Sequence, residues 1–354
     1  MKILITGICG FVGFRIARHW LEAEPSVEII GMDNFIRPGS ETHRSALRKL
    51  GIKCYHGDIR CRSDFDSLPA VDWVIDCAAN PSVLAGIDGQ SSSRQLMEHN
   101  LSGSLELLEY CRRCKAGFIL LSTSRVYGVK GLSELPMRVE GSRFVPDAPA
   151  LQFPGMSERG INEQFSTEPP LSLYGVSKRA AELLALEYGA TFDFPVWINR
   201  CGVMAGPGQF GKADQGIVSF WIHAFRSRKP LKYIGFGGNG YQVRDFFDPK
   251  DLVPLLQKQS AHRGQDIPRT LNFGGGNAIS LSLAELTLWC QERFGPHEVQ
   301  HSTEVRPFDI PWVIMDDSRA RHHWGWSPVT GKLAILESIA QHAESHPEWL
   351  ELAS

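Results

Sequence analysis

The 354-residue chain has no apolar run of 18 or more residues, so nothing in it reads as a transmembrane helix. It also lacks an excess of either charge: 37 Lys and Arg stand against 39 Asp and Glu, a formal net charge of −2. Without a basic surplus, no nucleic-acid partner is expected. Internal repeats and low-complexity tails are missing too. The eight cysteines, at 9, 54, 61, 77, 111, 114, 201 and 290, fall into no metal-binding pattern. Cys111 and Cys114 make one C-x-x-C around Arg112 and Arg113, inside a helical pattern, with no second pair or flanking histidine to complete a zinc site. No metal is expected. The apolar start, residues 1–6, is cut at Gly7, too early for a secretory leader. These absences lead us to expect a cytoplasmic protein without a membrane partner.

What is present is an ordinary globular composition, 43% hydrophobic. Short apolar runs at 2–6, 28–32, 53–56, 73–77 and 118–122 read as strands. Helical patterns at 11–23, 43–50 and 95–113 alternate with them. Strands alternating with helices imply parallel pairing through right-handed crossovers. The expected fold is therefore α/β, a doubly wound parallel sheet (Rossmann) that binds ligands at the carboxyl ends of its strands. Residues 130–170 are rich in Pro and Gly and read as a functional loop or small excursion. A helix at 174–188 and a strand at 196–200 follow. The last third carries Gly-rich turns at 235–240 and 274–276 and a helix at 282–294. The chain thus divides into a dinucleotide-binding domain, 1–200, and a smaller C-terminal substrate-binding domain, 201–354. Part of 245–275 is expected to return to the first.

Gly7-Ile8-Cys9-Gly10-Phe11-Val12-Gly13 follows the first strand and opens the first helix. Glycines there let the backbone turn tightly and approach a pyrophosphate, which a helix N-terminus favours. A glycine triplet alone is only a tight turn; the strand–turn–helix context gives it meaning. Asp33 ends the second strand, twenty residues after Gly13. An acid there accepts from the adenosine ribose and repels a 2′-phosphate, so NAD is expected as cofactor, with Arg37 leaving NADP open.

Tyr174-Gly175-Val176-Ser177-Lys178 is Y-x-x-x-K at a helix start. Residues i and i+4 share a face, so phenol and ammonium point the same way. A nearby cation favours phenolate, which suits Tyr174 as a base for a sugar hydroxyl. Ser122-Thr123-Ser124-Arg125-Val126-Tyr127-Gly128 places hydroxyls at a strand's carboxyl end, where they can bond a reacting oxygen; alone, this is a polar strand end.

In order and spacing, T-G-x-x-G-F-x-G at 6–13, Asp33, His56-Gly57-Asp58, Ala78-Ala79, Asn100, S-T-S-x-V-Y-G and Y-x-x-x-K resemble the extended short-chain dehydrogenase/reductase (NAD-dependent epimerase/dehydratase) family. So do R-x-x-x-x-x-G-P-G from Arg200, Gln242-Val243-Arg244-Asp245 and Arg306-Pro307. The resemblance covers essentially the whole chain. Gln209-Phe210, Asp214-Gln215-Gly216 and residues 238–245 are most similar to the branch of CDP-paratose (CDP-tyvelose) 2-epimerases. This resemblance implies Thr123, Tyr174 and Lys178 as the catalytic set. It implies cofactor contacts at Gly7, Gly10, Phe11, Val12, Gly13, Asp33, Asn34, Asp58, Ile59, Ala78, Ala79 and Asn100, with Tyr174 and Lys178. Arg244 and Arg306 would clamp a nucleotide-sugar diphosphate, which suits a guanidinium fork; a surface salt bridge is the plainer reading. Ser124, Arg125, Gln209, Asp214 and Gln215 would complete the substrate side. Gln209, Asp214 and Gln215 carry groups that read a pyrimidine edge, or else form a polar turn. A homodimer or homotetramer is also implied, through the helices at 95–113 and 174–188.

The sugar-nucleotide 4,6-dehydratases of the family place an Asp-Glu pair after the Thr, to eliminate water. Here Ser124 and Arg125 stand instead, and arginine does not give up its proton. The expected activity is thus redox-neutral epimerisation of a nucleoside-diphosphate sugar. Alternatives are a UDP-hexose 4-epimerase, another nucleotide-sugar dehydratase or reductase, or a dinucleotide-sensing or RNA-binding relative that kept only the fold.

Overall fold

The computed structural model describes residues 1–87, 89, 92–264 and 266–352. They form two compact units, Met1–Thr123 with Leu173–Arg200 and Pro249–Leu271, and Ser124–Ser172 with Cys201–Asp248 and Asn272–Ser354. The first unit is built on a seven-stranded sheet. Its strands are β1 (Lys2–Thr6), β2 (Glu28–Asp33), β3 (Lys53–His56), β4 (Trp73–Asp76), β5 (Gly117–Thr123), β6 (Val196–Cys201) and β7 (Thr270–Phe273). Their order across the sheet is β7-β6-β5-β4-β1-β2-β3. Pairing is parallel, with Ile5 opposite Gly31 on one side and Ile75 on the other. This is the doubly wound arrangement, with the order reversing between β1 and β4.

The central strands are apolar at nearly every position because helices cover both faces. Leu4, Val74, Phe118, Leu120 and Ile198 are buried with Leu107, Leu108, Ala181 and Ala185 from two helices, Gly103–Cys114 and Leu173–Phe192. The long helical pattern at 95–113 is not one regular helix. It runs as Ser93–Met97, a π-helical turn Glu98–Ser102, then Gly103–Cys114.

In the second unit, strands Val203–Met204, Val243–Phe247, Ser280–Ser282 and Trp312–Val313 form a four-stranded sheet. Helices Ile217–Arg226, Leu283–Phe294 and Lys332–Ser345 contribute Trp221, Leu286 and Ile339 to its core. The structure differs here from a division at residue 200. Residues 124–172 belong to the second unit, because Val126, Tyr127, Leu132, Ile161 and Phe165 are buried with Val243, Trp312 and Ile314. Within this segment lie a helix, Val129–Glu134, and a hairpin of Met137–Glu140 with Arg143–Pro146. Tyr127 Oη donates to Asn272 Oδ1 at 2.6 Å, fastening it further. Residues 249–271 lie in the first unit, where Gln259 and Asn199 exchange amide hydrogen bonds of 2.8 and 3.0 Å.

Candidate functional site

The glycine turn sits where the sheet order reverses. Gly7 has φ +60°, and a Cβ there would stand 3.0 Å from Ala78 Cα at the exit of β4. A Cβ on Gly13 would stand 2.5 Å from Gly7 O and 2.8 Å from Ile8 Cα. Both positions therefore require glycine. Helix Phe11–Ala23 is capped by Gly10, whose extended backbone offers no side chain to the first-turn N–H groups. Those groups, Phe11 and Val12 included, suit a phosphate. The chain therefore fits a dinucleotide at this turn.

Asp33 is buried at the end of β2. Its Oδ2 accepts from Cys9 N–H at 2.9 Å and its Oδ1 from Phe35 N–H at 2.8 Å. The expected ribose acceptor therefore also fastens the glycine turn. Burial raises its pKa, and the N–H groups of Phe35, Cys9 and Gly10 oppose that rise. Asn34 Nδ2 donates to Asp58 Oδ2 at 2.9 Å, and Arg60 grips the same carboxylate with bonds of 2.9 and 2.7 Å. Burial works against the Asp58 charge, but the Arg60 and Asn34 bonds outweigh it and hold the carboxyl below its ordinary range. Ile59 is buried against Gly103. Ala78 N–H faces Thr6 Oγ1 and Asp76 Oδ1, while Ala79 is exposed. Asn100, in the π-helical turn, bonds both Asn80 N–H and Asn80 O, and its Nδ2 reaches Ser177 Oγ at 3.0 Å.

The three expected catalytic residues all lie in the first unit. Thr123 ends β5, and Tyr174 and Lys178 share a face of helix Leu173–Phe192. Tyr174 and Lys178 are buried. Sequence reasoning missed the groups that support them. Asp76, 1% exposed, accepts from Thr6 Oγ1 at 2.7 Å. Burial raises its pKa, and the Lys178 cation opposes that rise without cancelling it. Glu182, one turn past Lys178, is fully buried and takes Ser122 Oγ at 2.6 Å. Arg200 Nε and Nη2 reach it at 3.0 and 2.7 Å, and Arg179 Nη1 at 3.1 Å. The residue before Thr123 is thus tied to the helix that carries Tyr174 and Lys178. A polar residue closing the apolar run Trp73–Asp76 was the available signal for Asp76; Glu182 gave none, being read as one more polar helix position.

The second unit holds the remaining candidates. Ser124 and Arg125 form a short 3-10 turn, and Arg125 Nη1 donates to Phe308 O at 3.1 Å. Arg244 donates to Val243 O at 2.7 Å and Ile310 O at 2.8 Å, with Asp309 Oδ1 at 3.5 Å. Burial lowers its pKa; Asp309 counteracts this, and the nearby Arg306 cation adds to it. Arg306 Nη2 donates to the backbone oxygen of Asp214 at 3.2 Å. Gln209 Nε2 is taken by Met204 O at 2.9 Å, and Gln215 pairs with Lys212 through the backbone. Asp245, beside Arg244, is 1% exposed. A Cβ on Gly274 would stand 2.2 Å from its Oδ2 and one on Gly202 3.0 Å from its Oδ1, so glycines make its room. Burial pushes its pKa up to about 7, against N–H groups of Met315, Gly276 and Gly275. Among the described residues no group of three or more His, Cys, Asp or Glu is placed to hold a metal. No described helix is long and apolar enough to cross a membrane.

A doubly wound sheet with this glycine turn and a buried Tyr–Lys helix defines a dinucleotide-dependent enzyme. The sequence model of the NAD dependent epimerase/dehydratase family matches residues 3–274, and the chain belongs to that family, with NAD as its cofactor. It is 29% identical to the CDP-paratose 2-epimerase of Salmonella typhi over 93% of this chain and 95% of that one. It is 25% identical to the UDP-glucuronate 4-epimerase of Thermodesulfobacterium geofontis, over 99% and 97%. Its fold is similar to that of the Bacillus cereus UDP-glucuronic acid 4-epimerase crystallised with UDP-glucuronic acid and NAD. That match has a TM-score of 0.78 and 24% identity, over 98% of this chain and 99% of that one.

Proposed function

We propose that this enzyme is a nucleoside-diphosphate-sugar epimerase and that it inverts carbon 2 of CDP-paratose. The observation that carries this reading is the pair after Thr123. Ser124 and Arg125 provide no acid/base pair for eliminating water, and the Arg125 guanidinium is committed to Phe308 O. The likeness to the Salmonella typhi enzyme supports the choice of sugar and base.

Bound NAD supplies a reversible hydride acceptor for the ring carbon. Gly7, Gly10, Phe11, Val12 and Gly13 hold its pyrophosphate, and Asp33 its adenosine ribose. Asn34, Asp58, Ile59, Ala78, Ala79 and Asn100 frame the rest. Tyr174 takes the proton of the hydroxyl on the reacting carbon and returns it on the reverse step. Lys178, four residues on, favours the phenolate this requires. Thr123 bonds the reacting oxygen. Arg244 and Arg306 receive the diphosphate; two guanidinium groups close enough to repel one another gain from an anion that accepts from both. Gln209, Asp214 and Gln215 face the base.

A second reading, a UDP-hexose 4-epimerase, draws on the likeness to UDP-glucuronate 4-epimerase. One experiment separates the two. CDP-paratose and UDP-glucose are incubated with enzyme side by side in heavy water. The expected product is the carbon-2 epimer of CDP-paratose with no deuterium at the inverted carbon. Deuterium there overturns the redox mechanism; turnover of UDP-glucose alone moves the assignment to carbon 4.

We also propose a homodimer or homotetramer. Leu105 on helix Gly103–Cys114, and Val176 and Leu183 on helix Leu173–Phe192, are exposed apolar side chains that a two-fold contact would cover. Light scattering at micromolar concentration is expected to give at least twice the chain mass.

A further inference from the structure

The short helix Trp349–Leu352 gives its first two side chains different surroundings. Leu350 is buried in the core of the second unit with Trp221, Ile222 and Leu336. Trp349 is buried too, at 6% exposed, but it clusters with Phe210 instead. The two rings stack with centroids 5.0 Å apart and planes 15° from parallel. Trp349 Nε1 donates to Gln209 O at 2.9 Å, a carbonyl that also accepts from Gly211 N–H at 2.9 Å and Ser219 Oγ at 3.4 Å. The indole is flanked in turn by two histidines. His342, on helix Lys332–Ser345, meets it edge-on at 4.6 Å, and His346, just past that helix, lies at 5.7 Å. His342 Nδ1 stands 3.3 Å from His223 Nε2 on helix Ile217–Arg226, which joins the two helices behind the indole.

We propose that Trp349 is a positioning residue for the nucleotide base of the substrate. It sets the 209–216 loop through Phe210 and Gln209 and is not itself a substrate contact. This rests on the reading that Gln209, Asp214 and Gln215 face the base. The stack fixes how near Phe210 comes to the helix, and the bond from Nε1 fixes how far the loop slides along the indole. Phe210 and Gln209 are chain neighbours, so a shift of one moves the other. Gln209 is also tied to the strand Val203–Met204, its Nε2 donating to Met204 O at 2.9 Å. Hydrogen bonds to a base weaken steeply with distance and angle, so a loop that reads one has to be held from behind. At its tip Lys212 and Gln215 pair through the backbone, and Asp214 O accepts from Arg306 Nη2 at 3.2 Å. A displaced loop therefore also disturbs one of the two guanidinium groups assigned to the diphosphate.

The test uses the full chain saturated with NAD and titrates CDP and UDP by calorimetry. Trp349→Ala is expected to weaken the diphosphate that wild type prefers by about tenfold, equivalent to one good hydrogen bond to the base, and to narrow the preference between CDP and UDP. Trp349→Phe keeps a ring and loses the N–H, so it should weaken that diphosphate by only about threefold. It carries the test if the alanine variant does not fold. Ile339→Ala opens the core of the same unit away from the loop. It should lower Tm at least as far as Trp349→Ala while leaving the CDP/UDP preference within about twofold of wild type. Gln209→Ala should weaken the preferred diphosphate directly. A Trp349→Ala protein that binds like wild type while Gln209→Ala binds weakly overturns the positioning role and spares the reading of the loop. An Ile339→Ala protein that loses the preference equally also overturns the positioning role, since general loosening would then explain the loss. Wild-type affinity in both Trp349→Ala and Gln209→Ala, or a wild type that binds neither diphosphate, overturns the reading of the loop and the proposal with it.

Discussion

Replacing Glu182 by glutamine changes one atom in a fully buried side chain, and its cost follows from the contacts. Oε1 accepts from Ser122 Oγ and Arg200 Nε; Oε2 accepts from Arg200 Nη2 and Arg179 Nη1. Whichever oxygen becomes the amide NH2 then faces donors, and Arg200, with 5% of its side chain exposed, loses its counter-charge. Breaking a buried pair in this way costs about 3–5 kcal/mol. That corresponds to a fall in Tm of roughly 6–20 °C for a unit of this size. The double variant Glu182→Met with Arg200→Met removes both charges. Its main cost is the stranded Ser122 hydroxyl, about 1–3 kcal/mol. Thermal unfolding followed by circular dichroism should therefore rank wild type above the double variant, and the double variant above Glu182→Gln. A Glu182→Gln protein melting within 2 °C of wild type, or above the double variant, refutes the argument that the network holds a charge needing its partner.

Tyr174→Phe keeps the ring and removes the proton acceptor, so it should fold with wild-type Tm while epimerase turnover falls by roughly 10²–10⁴. Asp245 has a folded pKa of about 7 against an ordinary value near 3.8. Its contribution is therefore fully present below the ordinary value and is lost as pH rises toward 7, by about 4 kcal/mol. The Tm of Asp245→Asn minus that of wild type should accordingly rise between pH 4 and 7 in a buffered melting series. A flat difference would show that the carboxyl titrates normally.

The first half of the fold is legible in the sequence because each strand and helix there announces itself locally. The strand at 2–6 and the helix at 11–23 fall where the apolar spacing puts them. Local periodicity fails where a distant partner decides. The π-helical turn at Glu98–Ser102 interrupts a pattern that reads as continuous helix, because it presents Asn100 to Asn80 and Ser177. Residues 124–172 read as a Pro/Gly-rich excursion, yet their few apolar side chains find a core with residues 310–315, far along the chain. For the candidate site, the glycines, Asp33 and Y-x-x-x-K are picked out by their spacing together with the strand–turn–helix context around them. Asp76 and Glu182 are not, since each is picked out only by a partner far along the chain, Thr6 for Asp76 and Ser122 for Glu182.

The first unit takes its residues from three separate stretches and closes with Leu271. A ribosome adding about 5–20 residues per second must therefore make roughly three quarters of the chain before the edge strand β7 and the helix Val253–Ala261 can dock. Until then Asn199 and Trp197 on β6 lack Gln259, and the sheet presents an open edge. Assembly of the cofactor unit is thus a late event in synthesis, and a fragment ending at residue 200 would emerge with a sticky strand border.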